Sequence, residues 1–413
     1  MRTSCFSDID NTNKEEFISF FMQKKLLILG GGFAGVILAQ KLLCTKIDYE
    51  ITLVDKNNYF SFTPMIVETV SGTNNSYNIV QPFRQIFDHK INIVKETVKG
   101  VNLDRKLVRL QKGTVYYDIL IMTLGSTAEY YGIPGAKKYS FPLRTITDGI
   151  EMRRKIINSF ETGNTNQTFV VIGGGATGVE LVGEIKGLIS NELKKQFPDK
   201  KSRVVLIEQN GQVLAHSEPY ISKKATEILR RKNIELILNR KVLEIKKNSV
   251  VLDNGTIPTT NVFWAAGMRA SDINIKPRVR KDKMNRIIVD KQFRIPGYKD
   301  VYVIGDMASY IDPRIKKPLH MAAQVAEKEA FHLAKQLCRG YTKPFVFEEQ
   351  GFLVSIGRFD GVASMLGFKF SGFPAWFAWR TIYLFKLRSL RKKIRVAYDW
   401  TISLFYERDT SEI

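Results

Sequence analysis

Two glycine turns, each set between an apolar strand and an acid, are the residues of this chain best suited to chemistry. Leu26-Leu27-Ile28-Leu29 runs into Gly30-Gly31-Gly32-Phe33-Ala34-Gly35, and Phe169-Val170-Val171-Ile172 runs into Gly173-Gly174-Gly175-Ala176-Thr177-Gly178. In the GxGxxG spacing the first glycine makes the tight turn and the second lets the backbone approach a pyrophosphate. The third lets the following helix pack close to the strand. That helix then offers its free N–H groups and positive dipole to the phosphates. In each copy a second strand ends in an acid, Ile51-Thr52-Leu53-Val54-Asp55 and Val204-Val205-Leu206-Ile207-Glu208. A carboxylate there accepts hydrogen bonds from ribose hydroxyls. One GxGxxG alone is a weak signal, because glycine-rich turns are common; two complete units predict two dinucleotide sites. Glu208 would repel a 2′-phosphate, and Gln209 brings no positive charge to offset it, so the second site favours an unphosphorylated ribose.

A third motif belongs with the first unit: Val301-Tyr302-Val303-Ile304-Gly305-Asp306, an apolar strand ending in Gly-Asp. Asp306 could simply cap the next helix, worth about 1 kcal/mol; a cap and a ligand role are compatible. Tyr117 to Gly125 and Val262 to Gly267 each close a nucleotide domain with a strand running into a small-residue turn. Around these motifs apolar strands alternate with helical stretches, the pattern of a parallel α/β fold. The expected organisation is an N-terminal tail (1–23), a first nucleotide domain (24–150 and 275–349), a second inserted into it (151–274) and a C-terminal region (350–413). Met22, directly before the first strand, is a candidate true start.

Composition narrows the classes. The chain has 413 residues, 44% hydrophobic and 25% charged, enough for two or three cored domains and unlike a disordered or disulfide-stapled chain. Cys5, Cys44 and Cys338 share no close spacing and the 4 histidines are scattered, so neither a redox pair nor a metal site is expected. No apolar run reaches the length of a transmembrane helix, and no secretory signal is seen. The net charge of +22 suits nucleic acid, an anionic membrane or acidic small molecules, and by itself chooses none of them.

Position of charge says more. Trp376, Trp379, Tyr383, Leu387, Leu390, Ile394 and Ala397 recur at steps of three and four, on one face of an expected helix. Between Arg380 and Arg395 stand seven basic residues and no acid. Aromatics on one face with Lys and Arg around them describe a helix lying in a membrane interface; packing on the protein itself is the competing role. The second basic cluster, Lys276 to Lys283, reads as a solvated loop.

This set of motifs resembles the flavoproteins with two dinucleotide-binding domains and, from Lys24 almost to the C-terminus, the type II NADH:quinone oxidoreductases among them. The narrower likeness rests on Asn58-Tyr59 with Phe62-Thr63-Pro64, Gly178-Val179-Glu180-Leu181, Trp264-Ala265-Ala266-Gly267, Ala323-Gln324-Val325-Ala326, Ile356-Gly357-Arg358 and the tryptophan- and arginine-rich tail. It implies FAD held by Gly30, Gly32, Phe33, Ala34, Gly35, Asp55, Lys56, Pro64, Gly125, Gly305, Asp306, Ala323 and Gln324. It implies NADH held by Gly173, Gly175, Gly178, Glu180, Glu208, Ala266 and Gly267, with no metal. NADH would reduce the flavin, and the flavin would pass two electrons to a membrane quinone without proton pumping, on the cytoplasmic face of the cell membrane.

Glu180 and Gln324 are the expected catalytic side chains. Glu180 would couple the nicotinamide and quinone sites or relay protons; its competing role is a carboxylate in a helix's first turn, favoured by the dipole at roughly 0.3–1 kcal/mol. Lys369 is a weaker quinone-site candidate. Two departures from the family pattern touch the quinone side: Lys328 replaces the second glutamine of AQxAxQ, and Tyr383 stands where histidine is frequent. A sulfide:quinone oxidoreductase, which needs cysteines near the flavin, another flavoprotein reductase and, remotely, a nucleic-acid-binding flavoprotein stay open. Expected partners are a membrane quinone, an anionic membrane surface and a second copy of the chain, with nucleic acid disfavoured.

Overall fold

The computed structural model describes residues 23–45, 49–163 and 165–411. The expected tail before Gln23, Cys5 and the question of Met22 lie outside them. By their contacts the residues divide into two compact units. One gathers residues up to Asn58, Phe83–Gly125 and Ser271–Phe347; the other gathers Tyr59–Pro82, Ser126–Ala270 and Glu348–Ile413. The helices that frame the glycine turns and the C-terminal region are α1 (Phe33–Leu43), α2 (Val67–Ser71), α3 (Ile146–Thr162), α4 (Ala176–Leu188), α5 (Ala323–Arg339), α6 (Phe373–Lys386) and α7 (Leu390–Phe405).

In the first unit a five-stranded parallel sheet has Lys24–Leu29 at its centre, flanked by Tyr49–Asp55 and Ile119–Met122, with Asn92–Lys95 and Val301–Val303 at the edges. Leu26 to Leu29 and Ile119 to Met122 are buried in unbroken runs, as strands covered on both faces must be. Leu27, Leu29, Val54, Leu120, Met122, Val301 and Val303 share one core.

The second unit repeats the plan. Asn166–Ile172 is central, flanked by Lys201–Ile207 and Asn261–Trp264, with Glu235–Ile237 and Phe141–Pro142 outside, all parallel. Phe169 stacks on Phe160 of α3 at 5.7 Å, and Val170, Ile172, Val205, Ile207 and Trp264 form the core. The mixed α/β fold with two dinucleotide-binding sheets is the one expected.

The C-terminal region departs from expectation. The single amphipathic helix is broken: α6 ends at Lys386 and α7 begins at Leu390. Trp376, Trp379 and Leu387 are buried in the second unit, so the first half of the expected stripe faces protein, while Leu390 and Ile394 stay exposed. Burying an indole removes a larger apolar area from water than any other side chain offers, and the wide Trp376–Trp379 face therefore goes to the core.

Candidate functional site

The first glycine turn leaves no room for a side chain at Gly30 or Gly35. Gly30 has φ +106°, and a Cβ on it would stand 2.3 Å from the Thr123 carbonyl oxygen; one on Gly35 would stand 2.0 Å from that of Gly30. Around Gly32 the space is open, with nothing within 4 Å, which is what close approach of a phosphate requires. Asp55 locks the turn: its Oδ2 accepts from the Gly31 N–H at 2.7 Å and its Oδ1 from the Asn57 N–H at 2.7 Å. Burial pushes the Asp55 carboxyl above its ordinary range, against the pull of those amides and of Lys56.

The second turn repeats this arrangement with Glu208 in place of the aspartate. Gly173 has φ +108°, a Cβ on Gly178 would lie 1.8 Å from the Gly173 oxygen, and Gly175 is open. Glu208 Oε2 accepts from the Gly174 N–H at 2.6 Å, and its Oε1 accepts from the backbone and side-chain amides of Asn210 at 2.8 and 2.7 Å. Tyr131, which sequence reasoning passed over, donates to the Ala266 carbonyl at 3.2 Å and closes on Gly267.

Helix starts at the glycine turns are left without a side-chain cap, as are those of α6 and α7. α3 opens on a capping box in which Thr145 and Asp148 bond each other's backbone N–H. Among the described residues α1, α4 and α5 carry no side-chain cap at Gly32, Gly175 and Ala322. Their first N–H groups are left to a ligand or water. The two glycine cradles suit pyrophosphate groups, each with an acid at its side, Asp55 or Glu208.

In the first unit Gly305, at φ +70°, presents Asp306 in a short 3-10 turn. The Gly305 N–H donates to Glu329 Oε2 at 2.6 Å. Glu329, on α5 and 1% exposed, was missed; it sits one turn beyond the Ala-Gln motif. Burial pushes its carboxyl up to about 8, with Asp306 adding to the rise and the Gly305 amide and Arg286 opposing it. Ala323 and Gln324 open α5, and Lys328 lies over the Phe347 ring. Gly125 stands at φ +71°. Lys56 is exposed. Pro64, in the turn Thr63–Met65, belongs to the second unit.

Glu180 differs from expectation in a useful way. It is the fifth residue of α4, past the first turn, so the helix dipole does not account for it. Its Oε1 instead accepts from Trp379 Nε1 at 3.0 Å and the Ser355 N–H at 3.3 Å. Trp379 packs edge-on against Tyr383 at 4.6 Å, and Tyr383 against Phe62 at 6.0 Å. Removal from water pushes the Glu180 carboxyl up to about 8, and Glu184 and Glu68 raise it further.

Behind Glu180 lies a buried charged cluster that the sequence did not disclose. Glu68 on α2 accepts from Trp400 Nε1 at 2.9 Å; burial pushes it to about 7, opposed by Arg380. Arg380 stacks on Trp376 and Trp400 at 4.2 and 4.7 Å. It was counted among the basic residues around the tail's lipid face, yet it turns inward to neutralise these acids. Glu184, one turn beyond Glu180, accepts from Ser71 and from Thr73, the latter at 3.1 Å. Arg408 holds Glu192 with two bonds of 2.8 and 2.7 Å. Lys369, by contrast, forms an exposed ion pair with Glu218.

The residues of α6 and α7 left outside are Phe373, Phe377, Phe385, Leu390, Ile394, Tyr398 and Phe405, all more than half exposed, beside Lys386, Arg388, Arg391 and Arg395. Among the described residues no helix is long and apolar enough to cross a membrane, and no acidic, histidine and cysteine group could hold a metal.

Comparison with known proteins agrees with this geometry. Residues 24–330 match the family described as pyridine nucleotide-disulphide oxidoreductase, and residues 350–409 match an NDH2 C-terminal domain. The chain is 31% identical to a probable NADH dehydrogenase of Dictyostelium discoideum, over 94% of this chain and 91% of that one. It is 27% identical to a type II NADH:quinone oxidoreductase of Mycobacterium tuberculosis, over 93% and 89%. A solved NDH2 from Plasmodium falciparum, in complex with NADH, has the same fold, with a TM-score of 0.87 at 20% identity, covering 94% of this chain and 100% of that one.

Proposed function

Because this chain belongs to the pyridine nucleotide-disulphide oxidoreductase family, in its type II NADH:quinone oxidoreductase branch, we propose that the first glycine turn holds FAD and the second NADH. The protein is an FAD-dependent oxidoreductase that transfers two electrons from NADH to a quinone without pumping protons. The observation that carries the assignment is the duplicated turn, each locked by an acid and each opening an uncapped helix. When bound, FAD accepts a hydride from NADH and passes the electrons on.

The chain's own residues bind, orient and exclude water. Amides at Gly32 and Gly175 bind pyrophosphate, and Asp55 and Asp306 hold the FAD ribose and ribityl region. Glu208 selects NADH, since its charge is unfavourable beside a 2′-phosphate. Gln324, in the first turn of α5, would lie beside the flavin ring. Glu180 keeps its proton near neutrality in a site walled by Trp379 and Tyr383, and gives it up as the quinone takes electrons. Lys328 and Tyr383, the two departures from the family pattern, tune the quinone side. The exposed phenylalanines of α6 and α7 insert into a membrane interface while Arg388, Arg391 and Arg395 meet anionic headgroups. The enzyme works as a peripheral protein on the cytoplasmic face of the cell membrane, alone or as a homodimer.

A sulfide-oxidising reading is disfavoured by the two cysteines among the described residues. Cys44 is the C-cap of α1 and Cys338 lies at the far end of α5. At 1.5 Å per residue these are about 16 and 22 Å from the ends that open on the nucleotide. The test is NADH oxidation by purified protein with quinone, ferricyanide and sulfide side by side. A yellow protein that reduces quinone from NADH and ignores sulfide is expected; sulfide-dependent quinone reduction would overturn the reading.

A further inference from the structure

Away from both glycine turns, the first unit holds a cavity of about 410 Å³ between α5 and the segment that follows it. That size is within the range of about 300–1,000 Å³ of small-molecule sites. Lys328, His332 and Lys335 line it at i, i+4 and i+7, one stripe of α5, and Tyr341, Lys343 and Phe345 fold back across from them. Among the described residues none of its lining side chains is acidic.

The floor is preformed. The His332 ring meets Tyr341 and Phe345 edge-on at 5.2 and 5.3 Å. Phe345 is fixed by the Tyr310 hydroxyl, which donates to its carbonyl at 2.8 Å, and by Phe293 at 5.6 Å. Its neighbour Phe347 donates its N–H to Asp312 at 2.9 Å. His332 bonds the backbone of Lys343, while its Nε2 is buried and has no partner among the described residues. Burial and the nearby Lys335 hold the imidazole below its ordinary range. Two exposed ammonium groups, Lys335 and Lys343, on one cavity with no acidic side chain in its wall favour a multiply charged anion over a single carboxylate, and flat aromatic walls suit a ring attached to it.

We propose that this cavity binds a soluble phosphate-bearing polyanion of small-molecule size, with Lys335 and Lys343 as the charged contacts and the Tyr341–His332–Phe345 cluster as the floor. The site is separate from the two pyrophosphate cradles and shares none of their residues.

The chain has only 4 histidines, so carbon-13 labelling of histidine in the flavin-loaded full chain gives a simple spectrum, with His332 assigned by His332→Gln. Inorganic pyrophosphate is expected to move the His332 signal saturably. Lys335 and Lys343 are exposed, so the double variant Lys335→Gln/Lys343→Gln should keep its flavin spectrum and its NADH–ferricyanide turnover. It should need about tenfold more pyrophosphate for the same movement. A His332 signal that stays still, or moves equally in the double variant, overturns the site. Movement seen only with vesicles containing phosphatidic acid would assign the lysines to a lipid headgroup and overturn the soluble ligand.

Discussion

The two glycine turns are near copies, and the helices that follow them are not. Both turns place an open middle glycine beside an acid that accepts one amide from the turn and another two residues beyond itself: Gly31 and Asn57 for Asp55, Gly174 and Asn210 for Glu208. Behind the first turn, α1 carries no acid at all. Behind the second, α4 carries Glu180 and Glu184, and the C-terminal region sets Trp379 against the one and Arg408 against the other. Binding a dinucleotide is a backbone property and can be duplicated by repeating glycines. Moving protons needs titratable groups held out of water at chosen positions, and only the second unit supplies these on the helix that leaves its turn.

The largest effect should come from filling the cradles. A methyl group on Gly35 or Gly178 meets a backbone oxygen at 2.0 or 1.8 Å, and an overpacking penalty of up to about 3 kcal/mol weakens nucleotide binding roughly a hundredfold. Gly35→Ala should yield colourless protein. Gly178→Ala should keep the flavin and lose NADH turnover. Absorbance spectra and NADH–ferricyanide rates separate the two; the same phenotype from both would erase the division of labour between the turns.

Next is the C-terminal region. Truncation after Gly372 strips Trp379 from Glu180, Trp400 from Glu68 and Arg408 from Glu192, leaving buried acids unpaired at about 3–5 kcal/mol for a lost ion-pair partner. The melting temperature of the second unit should fall steeply. Phe377→Ser with Phe385→Ser, both exposed, should leave melting unchanged while weakening binding to anionic vesicles, measured by sedimentation.

The buried acids predict a pH signature. Glu180 and Glu68 ionise at about 8 and 7 in the native protein, against an ordinary 4.5. Between 4.5 and those values the native state keeps protons that the unfolded chain has released, so stability falls as pH rises through this window. Glu180→Gln should flatten that slope and remove the loss of quinone turnover above about pH 8, at a lower overall rate. An unchanged pH–rate profile would return Glu180 to a purely packing role.

The smallest expected effect is at Glu208. Glu208→Gln keeps an acceptor for the Gly174 amide and removes the charge, so discrimination against NADPH in kcat/KM should narrow by about tenfold, the order of one charge-assisted hydrogen bond. Asp55→Asn should leave that ratio alone.

Both turns and their acids were legible in the sequence, because each acid lies 24 or 34 residues from the turn amide it binds and the turns rest on sterics that only glycine satisfies. The exposed aromatics Phe377 and Phe385 were legible as a class, but the face was not. Whether Trp376 and Trp379 meet lipid or protein depends on what the second unit offers them, and periodicity cannot say.

The sequence by itself determined two glycine turns, each locked by an acid, since a glycine turn and its acid form a local device closed by backbone hydrogen bonds. Only the tertiary structure decided which acids lose water. Glu68, Glu180 and Glu329 look like any surface carboxylate in a helical stretch, yet burial raises the hold of each on its proton; over Glu180 and Glu68 the cover comes from Trp379 and Trp400, far away in the chain. A carboxylate's affinity for its proton follows from the medium around it, and that medium is assembled by folding.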